Sequence, residues 1–184
     1  MADLSKLFGP SNLRIFELLI LENASVRELA KKAKCSPAKI IQFLDLYSKN
    51  KLIGVEKKDN RKIITLSKTN PLVREMITLI YTKKILDSKT FSSLRRISDS
   101  IGLYGSVVEG TVDKQSDIDL WIVSDSKKRI VDTGKLRQEF SKELGKEVSL
   151  KFFTPNEIQN LKENDRIFYN ELEYKSKILH GGGF

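Results

Sequence analysis

Cysteine and histidine are all but missing from this chain: Cys35 and His180 are the single examples among 184 residues. One cysteine permits no intramolecular disulfide and no thiolate metal cluster, and one histidine excludes a histidine-built catalytic or metal site. Doing without disulfides predicts a reducing, cytoplasmic setting. No apolar run approaches the roughly 20 residues that a membrane-spanning helix needs, and the opening MADLSKLFGP has no apolar core of the kind an export leader carries. No membrane partner is expected.

Acidic charge is scarce only in the first part of the chain. Residues 1–70 carry 14 basic and 7 acidic side chains, residues 71–100 carry 6 and 3, and residues 101–184 carry 13 and 14. The positive excess thus points to the N-terminal part as the one that meets a polyanion, with a solvated lysine-rich surface as the alternative.

Local signals divide the chain into three parts: 1–69, 70–99 and 100–184. In the first, Ser11 is the expected cap of a helix running to Glu22, with Leu13, Phe16, Leu19 and Ile20 on its apolar face. Ser25-Val26-Arg27-Glu28 has the form of a capping box, and Ser36-Pro37 opens a third helix with Ile40, Ile41, Leu44 and Tyr47 facing inward. Two β-rich runs, Leu52–Glu56 and Lys62–Leu66, then flank a basic tip. Asn70-Pro71 starts a linker helix to about Asp87, with Leu72, Met76, Leu79, Ile80 and Leu86 as its apolar positions, a stripe suited to core packing or to a homodimer seam. A further helix is expected over Ser92–Ser98, with Arg95 and Arg96 either on a solvated face or near enough to approach a triphosphate.

The third part holds the most informative stretch, Ile101–Val123. A short apolar run breaks at Gly105-Ser106, Gly110 follows, and Ser116-Asp117-Ile118-Asp119-Leu120 opens a second apolar run. Strand, glycine turn, loop, strand is the expected order. Alternation along a strand puts Asp117 and Asp119 on one face, where two carboxylates side by side favour a cation between them, and hard oxygen ligands suit Mg²⁺. Ser124–Arg129 reads as a solvent-facing loop, Lys135–Leu144 as a helix, and Glu147–Phe153 as a strand. Thr154-Pro155-Asn156-Glu157 combines a capping box with proline in the first turn, and one or two amphipathic helices are expected to Leu179, with a frayed tail from His180.

These residues resemble the DNA polymerase β-like nucleotidyltransferase superfamily, most closely its minimal nucleotidyltransferase type. The match is carried by Gly105, Ser106, Gly110, Ser116, Asp117 and Asp119. The resemblance implies an α+β fold with a small α/β nucleotidyltransferase domain of mixed sheet. It also implies Mg²⁺ or Mn²⁺ on Asp117 and Asp119, and a nucleoside triphosphate against Gly105, Ser106 and Ser116. The activity implied is transfer of a nucleoside monophosphate to an acceptor hydroxyl. The family's third carboxylate falls at Ser149, in Val148-Ser149-Leu150, so Glu147 is the remaining catalytic candidate on that strand and Lys151 an alternative source of charge for phosphate.

By element order, residues 11–67 resemble winged helix-turn-helix domains preceding a linker helix. That likeness implies duplex DNA as a partner, with Lys39 and Gln42 toward base edges and Lys57, Lys58 and Arg61 toward phosphates, or else a protein-docking module. A DNA-binding regulator whose second domain senses nucleotide, or is inert, is the competing reading. A further one is an antitoxin-like partner of a separate helical protein, which would then be the protein acceptor.

Overall fold

The structure, a computed structural model, describes residues 4–58, 61–125 and 133–183. Asp59 and Asn60 of the expected polar tip, the loop residues Ser126, Lys127, Lys128 and Arg129, and Phe184 of the expected tail lie outside the described residues. The chain divides into two compact units, Met1–Ile77 with Val112–Gln115, and Thr78–Thr111 with Ser116–Phe184.

In the first unit, α1 (Leu4–Leu7) and α2 (Pro10–Leu21) are followed by β1 (Ala24–Ser25), α3 (Val26–Ala33), α4 (Pro37–Lys49), β2 (Ile53–Lys58) and β3 (Arg61–Leu66). The strands form a sheet in the order β1-β3-β2, antiparallel throughout. The helix starts follow local hydrogen bonding. Ser25 and Glu28 form the reciprocal capping box, and the Ser36 hydroxyl accepts from the Lys39 amide ahead of Pro37. α2 departs from expectation: its cap is Gly9 and its first residue Pro10, because a proline at the first position loses nothing by lacking an N–H.

The core of this unit is built by Ile15, Phe16, Leu19, Ile20, Leu29, Ile40, Phe43, Tyr47, Leu52 and Ile64. On α4 the inward face is therefore Ile40-Phe43-Tyr47, and Ile41, expected inside, is 53% exposed. Phe43 and Tyr47 stack with centroids 4.0 Å apart, and the Tyr47 hydroxyl donates to the Leu7 carbonyl at 2.8 Å. Ile40 and Tyr47 face inward as expected, and Phe43 joins them in place of Ile41.

α5 (Pro71–Asp87) starts where Asn70-Pro71 predicts, with the Leu72 amide donating to Asn70 Oδ1. Its buried apolar residues are Val73, Met76, Ile77, Ile80, Tyr81 and Ile85, whereas Leu72, Leu79 and Leu86 are exposed. A helix apolar on most sides offers several stripes, and packing selected the one without these leucines.

In the second unit, α6 is Lys89–Leu94 rather than Ser92–Ser98, because Ser88 caps it and accepts from the Phe91 amide. Then come β4 (Ser100–Tyr104), α7 (Ser106–Glu109), β5 (Ile118–Val123), α8 (Thr133–Leu144), β6 (Val148–Phe153), α9 (Pro155–Asn164), α10 (Arg166–Tyr174) and β7 (Lys177–His180). The sheet order is β6-β5-β4-β7, with β5 and β6 parallel and the other pairs antiparallel, which gives the mixed sheet expected. Two expectations fail here. The chain end is not frayed over His180, since Lys177–His180 pairs with β4. Ser124 is not solvent-facing: it is buried, and its hydroxyl donates to the Ile97 carbonyl at 2.9 Å.

One sheet face carries Tyr104, Trp121 and Val123 and is covered by Ile158 of α9 and Tyr169 and Leu172 of α10. Ile101, Leu103, Ile118, Leu120 and Ile122 alternate with these residues onto the other face and are fully buried there. α8 packs on β6 and α6 and buries Phe140. Trp121 lies flat over Gly102, its cross-strand neighbour. A Cβ there would fall 2.1 Å from the indole, so glycine is required for the ring to reach the sheet.

Candidate active site at the end of the central strands

Asp119 is the second residue of β5 and is paired on both sides, with Tyr104 of β4 and Ser149 of β6. The antiparallel partner ends at Tyr104, where the chain turns through Gly105 at φ 70° and ψ −150° into α7. That backbone region belongs almost wholly to glycine. The Asp119 carboxylate occupies the space a side chain would take: Oδ2 is 2.8 Å from where a Cβ on Gly105 would stand. The pairing of β4 with β5 thus brings the glycine turn and the acidic strand to one point.

Asp117 precedes β5 and is exposed, whereas Asp119 is half-buried. Burial pushes the Asp119 carboxyl up from its ordinary value, and the neighbouring charge of Asp117 pushes the same way. A hydrogen bond with the Ser149 hydroxyl and the positive charge of Lys151 oppose that shift, and Glu171 of α10 adds to it. A carboxylate destabilised by burial and by a like charge gains most from a cation.

Ser149 lies where its register predicts, directly beside Asp119, and serves it as a hydrogen-bond donor. Glu147 stands exposed just before β6, its carbonyl accepting the Ile118 amide at 2.9 Å, and borders a groove with Arg137, Gln138 and Ser141 of α8. Ser106 and Ser116 are half-buried, Ser106 as the first residue of α7 and Ser116 immediately before Asp117. Among the described residues no group of three or more His, Cys, Asp or Glu side chains is gathered closely enough to hold a metal ion.

Sequence reasoning missed two residues that α10 brings to this point. Glu171 and Tyr104 interact electrostatically with each other and with Asp119, and the Tyr104 phenol is pushed up, by burial first and then by these two carboxylates. Phe168, one turn before Glu171, lies under the Lys151 ammonium at 4.4 Å from the ring centroid. No local pattern marks them, because their place depends on how a helix that begins at Arg166, far beyond the acidic strand Ile118–Val123, returns across the sheet.

The predicted nucleic-acid contacts all lie in the first unit. Gln42, Lys57, Lys58 and Arg61 are exposed and Lys39 is half-exposed on the first turn of α4. The hairpin register sets Lys57 opposite Lys62 and Lys58 opposite Arg61, so four cations meet in two like-charge pairs. Lys62 is the addition the strand pairing makes.

No helix among the described residues is long and apolar enough to cross a membrane. A family model described as "Nucleotidyltransferase domain" matches residues 82–174, just over half of the chain, and includes the glycine turn, the Asp pair and α10. No curated protein and no solved structure matches the chain. The match supports a role in nucleotidyl transfer in general terms and a nucleotide as substrate, and domains of this kind generally use divalent metals. With strand, glycine turn and paired aspartates assembled at one end of a mixed sheet, the chain belongs to the nucleotidyltransferase domain family.

Proposed function

We propose that this protein transfers a nucleoside monophosphate from a nucleoside triphosphate to an acceptor hydroxyl, using Mg²⁺ or Mn²⁺ held by Asp117 and Asp119. The observation that carries the reading is the placement of the Asp119 carboxylate against the backbone of Gly105, with Asp117 acting on it electrostatically. Two carboxylates fit one small divalent cation whose remaining positions are filled by water and substrate phosphate. When bound, such a cation neutralises charge on the phosphate and lowers the barrier to in-line displacement.

The chain's own residues have distinct parts in this scheme. Gly105 makes the turn beside the Asp119 carboxylate, which fills the space of the missing side chain, and Ser106 and Ser116 offer hydroxyls from the start of α7 and from just before Asp117. Ser149 holds Asp119 in one orientation through its hydrogen bond. A serine takes up a proton poorly, so Glu147 is the strand's remaining group for assisting the acceptor hydroxyl. Positioned acid–base assistance is worth about 10²–10⁴ in rate, and its weakening at Ser149 fits a slow transferase.

For the first unit we propose a winged helix-turn-helix that binds duplex DNA, with α4 offering Lys39 and Gln42 and the β2–β3 hairpin offering Lys57, Lys58 and Arg61. The element order and the like-charge pairs of the hairpin support it, because opposed cations repel unless a polyanion meets them. A protein acceptor and a homodimer through the exposed leucines of α5 belong to the same set of expectations, in a cytoplasmic setting.

The test is incubation with each labelled nucleoside triphosphate, alone and with cell extract. Pyrophosphate release that disappears in Asp117→Ala/Asp119→Ala supports the transferase. Nucleotide binding without release favours the nucleotide-sensing regulator, and absence of both overturns the reading.

A further inference from the structure

Lys151 follows Ser149 by two positions on β6, so both side chains leave the same face of the sheet, in register with Trp121 and Asp119. The residue is exposed, yet its ammonium is not left to wander: Nζ sits 4.4 Å from the centroid of Phe168, a half-buried ring packed against the Trp121 cluster. A free lysine has substantial side-chain entropy to lose on being fixed. Holding it over an aromatic face offsets part of that loss before any ligand arrives. The ammonium is close enough to Asp119 to act on its carboxyl group.

Charge then decides what this lysine is for. Asp117 and Asp119 cancel one divalent cation, and Glu171 adds a further negative charge on the α10 side. A polyphosphate entering here is repelled unless a positive charge remains, and Lys151 is the cation that acts on Asp119. Ser149, paired with Asp119, offers a second divalent cation only a neutral hydroxyl where a third strand carboxylate would stand. Resting on the transferase reading, we propose that Lys151, poised on Phe168, binds a phosphate of the nucleoside triphosphate and supplies positive charge where Ser149 leaves a second cation without a third carboxylate.

Two measurements test this on the full chain. Mn²⁺ counted by electron paramagnetic resonance in the presence of α,β-methylene nucleoside triphosphates is expected at one ion per chain. Tripolyphosphate affinity, measured by calorimetry in EDTA at low salt, is expected to fall about ten- to a hundredfold in Lys151→Gln, the worth of a charge-assisted hydrogen bond. Lys151→Arg should restore it, because guanidinium also stacks on aromatic rings. Phe168→Leu should weaken it about two- to fivefold by freeing the lysine. Two Mn²⁺ ions per chain, or equal tripolyphosphate affinity in the wild type and Lys151→Gln, overturns the proposal. Nucleotide binding that survives Lys151→Gln removes only the role of Lys151, whereas a wild type that binds no nucleotide even with Mn²⁺ removes the transferase reading as well.

Discussion

Gly105 and Asp119 occupy each other's space: the aspartate Oδ2 lies 2.8 Å from the position of a Cβ on the glycine, whose φ of 70° already disfavours any other residue. Gly105→Ala is therefore expected to cost about 1–3 kcal/mol from backbone strain alone and to push the carboxylate aside. Thermal unfolding reads the first effect. Loss of Mn²⁺ binding in the still-folded variant reads the second, and a variant with unaltered midpoint and binding would contradict the geometry.

Trp121, the single tryptophan, covers Gly102 and donates through Nε1 to the Ser176 hydroxyl at 2.8 Å. In Gly102→Ala the added methyl meets the indole, and overpacking of this kind costs about 1–3 kcal/mol or more. Because the ring must lift from the sheet, its fluorescence should shift to the red. Emission and unfolding midpoint identical to the wild type would count against this packing.

Glu143 of α8 ties down the start of α6, accepting from the Ser88 and Thr90 hydroxyls at 2.5 and 2.9 Å and from the Thr90 amide at 3.3 Å. The Ser88 hydrogen bond, first among the causes, holds the Glu143 carboxyl below its ordinary value. With a folded value below the unfolded one, the unfolded state binds more protons as pH falls. The stability from this group is present above the ordinary glutamate range and is lost as pH drops through the lowered value. Glu143→Gln should thus melt earlier than wild type at pH 7, and the gap should close in acid. A gap that is constant with pH would mean that the carboxylate charge plays no part.

Ser149→Asp would place a third carboxylate beside Asp119, in register on β6. With a divalent cation available, Mn²⁺ stoichiometry should rise from one to two and any transfer rate should increase. Without metal the added charge should lower the unfolding midpoint, because Asp119 is already disfavoured by burial and by Asp117. If Glu147→Gln is instead the damaging change and Ser149→Asp leaves stoichiometry at one, Glu147 fills the role.

The hairpin of the first unit gives a quantitative test by salt. Each phosphate neutralised contributes about −0.9 to the slope of log K against log salt, so replacing Lys57, Lys58 and Arg61 should flatten it by up to about 3 units. Adding Lys62, the cross-strand partner of Lys57, should extend the change by about one more. Filter binding to duplex DNA across a salt series measures the slopes, and a slope untouched by all four substitutions would remove the hairpin from the interface.

The local frame of the candidate site was legible before any fold. The capping boxes at Ser25 and Thr154, the caps at Ser36 and Asn70, the glycine turn and the aspartate pair are all written in stretches of a few residues. Their hydrogen bonds close within two to four positions, so the sequence by itself determined them. The place of Ser149 came from the family resemblance, through the triplet Val148-Ser149-Leu150, and the strand pairing sets it beside Asp119.

What depended on distant partners was decided only by the tertiary structure. Ile41 and the leucines of α5 carry the same apolar signal as their buried neighbours, and only the packing surface selects among them. β7 became a strand because β4 offered it an open edge, which a tail of Lys, Ile, Leu and His does not announce. Lys151 over Phe168 and Glu171 beside Tyr104 arise because α10 crosses the sheet face that bears the aspartates. Hydrogen bonds between near neighbours in the chain leave a local trace, whereas burial and charge placement are properties of the surface that folding brings opposite, and that surface is encoded elsewhere in the chain.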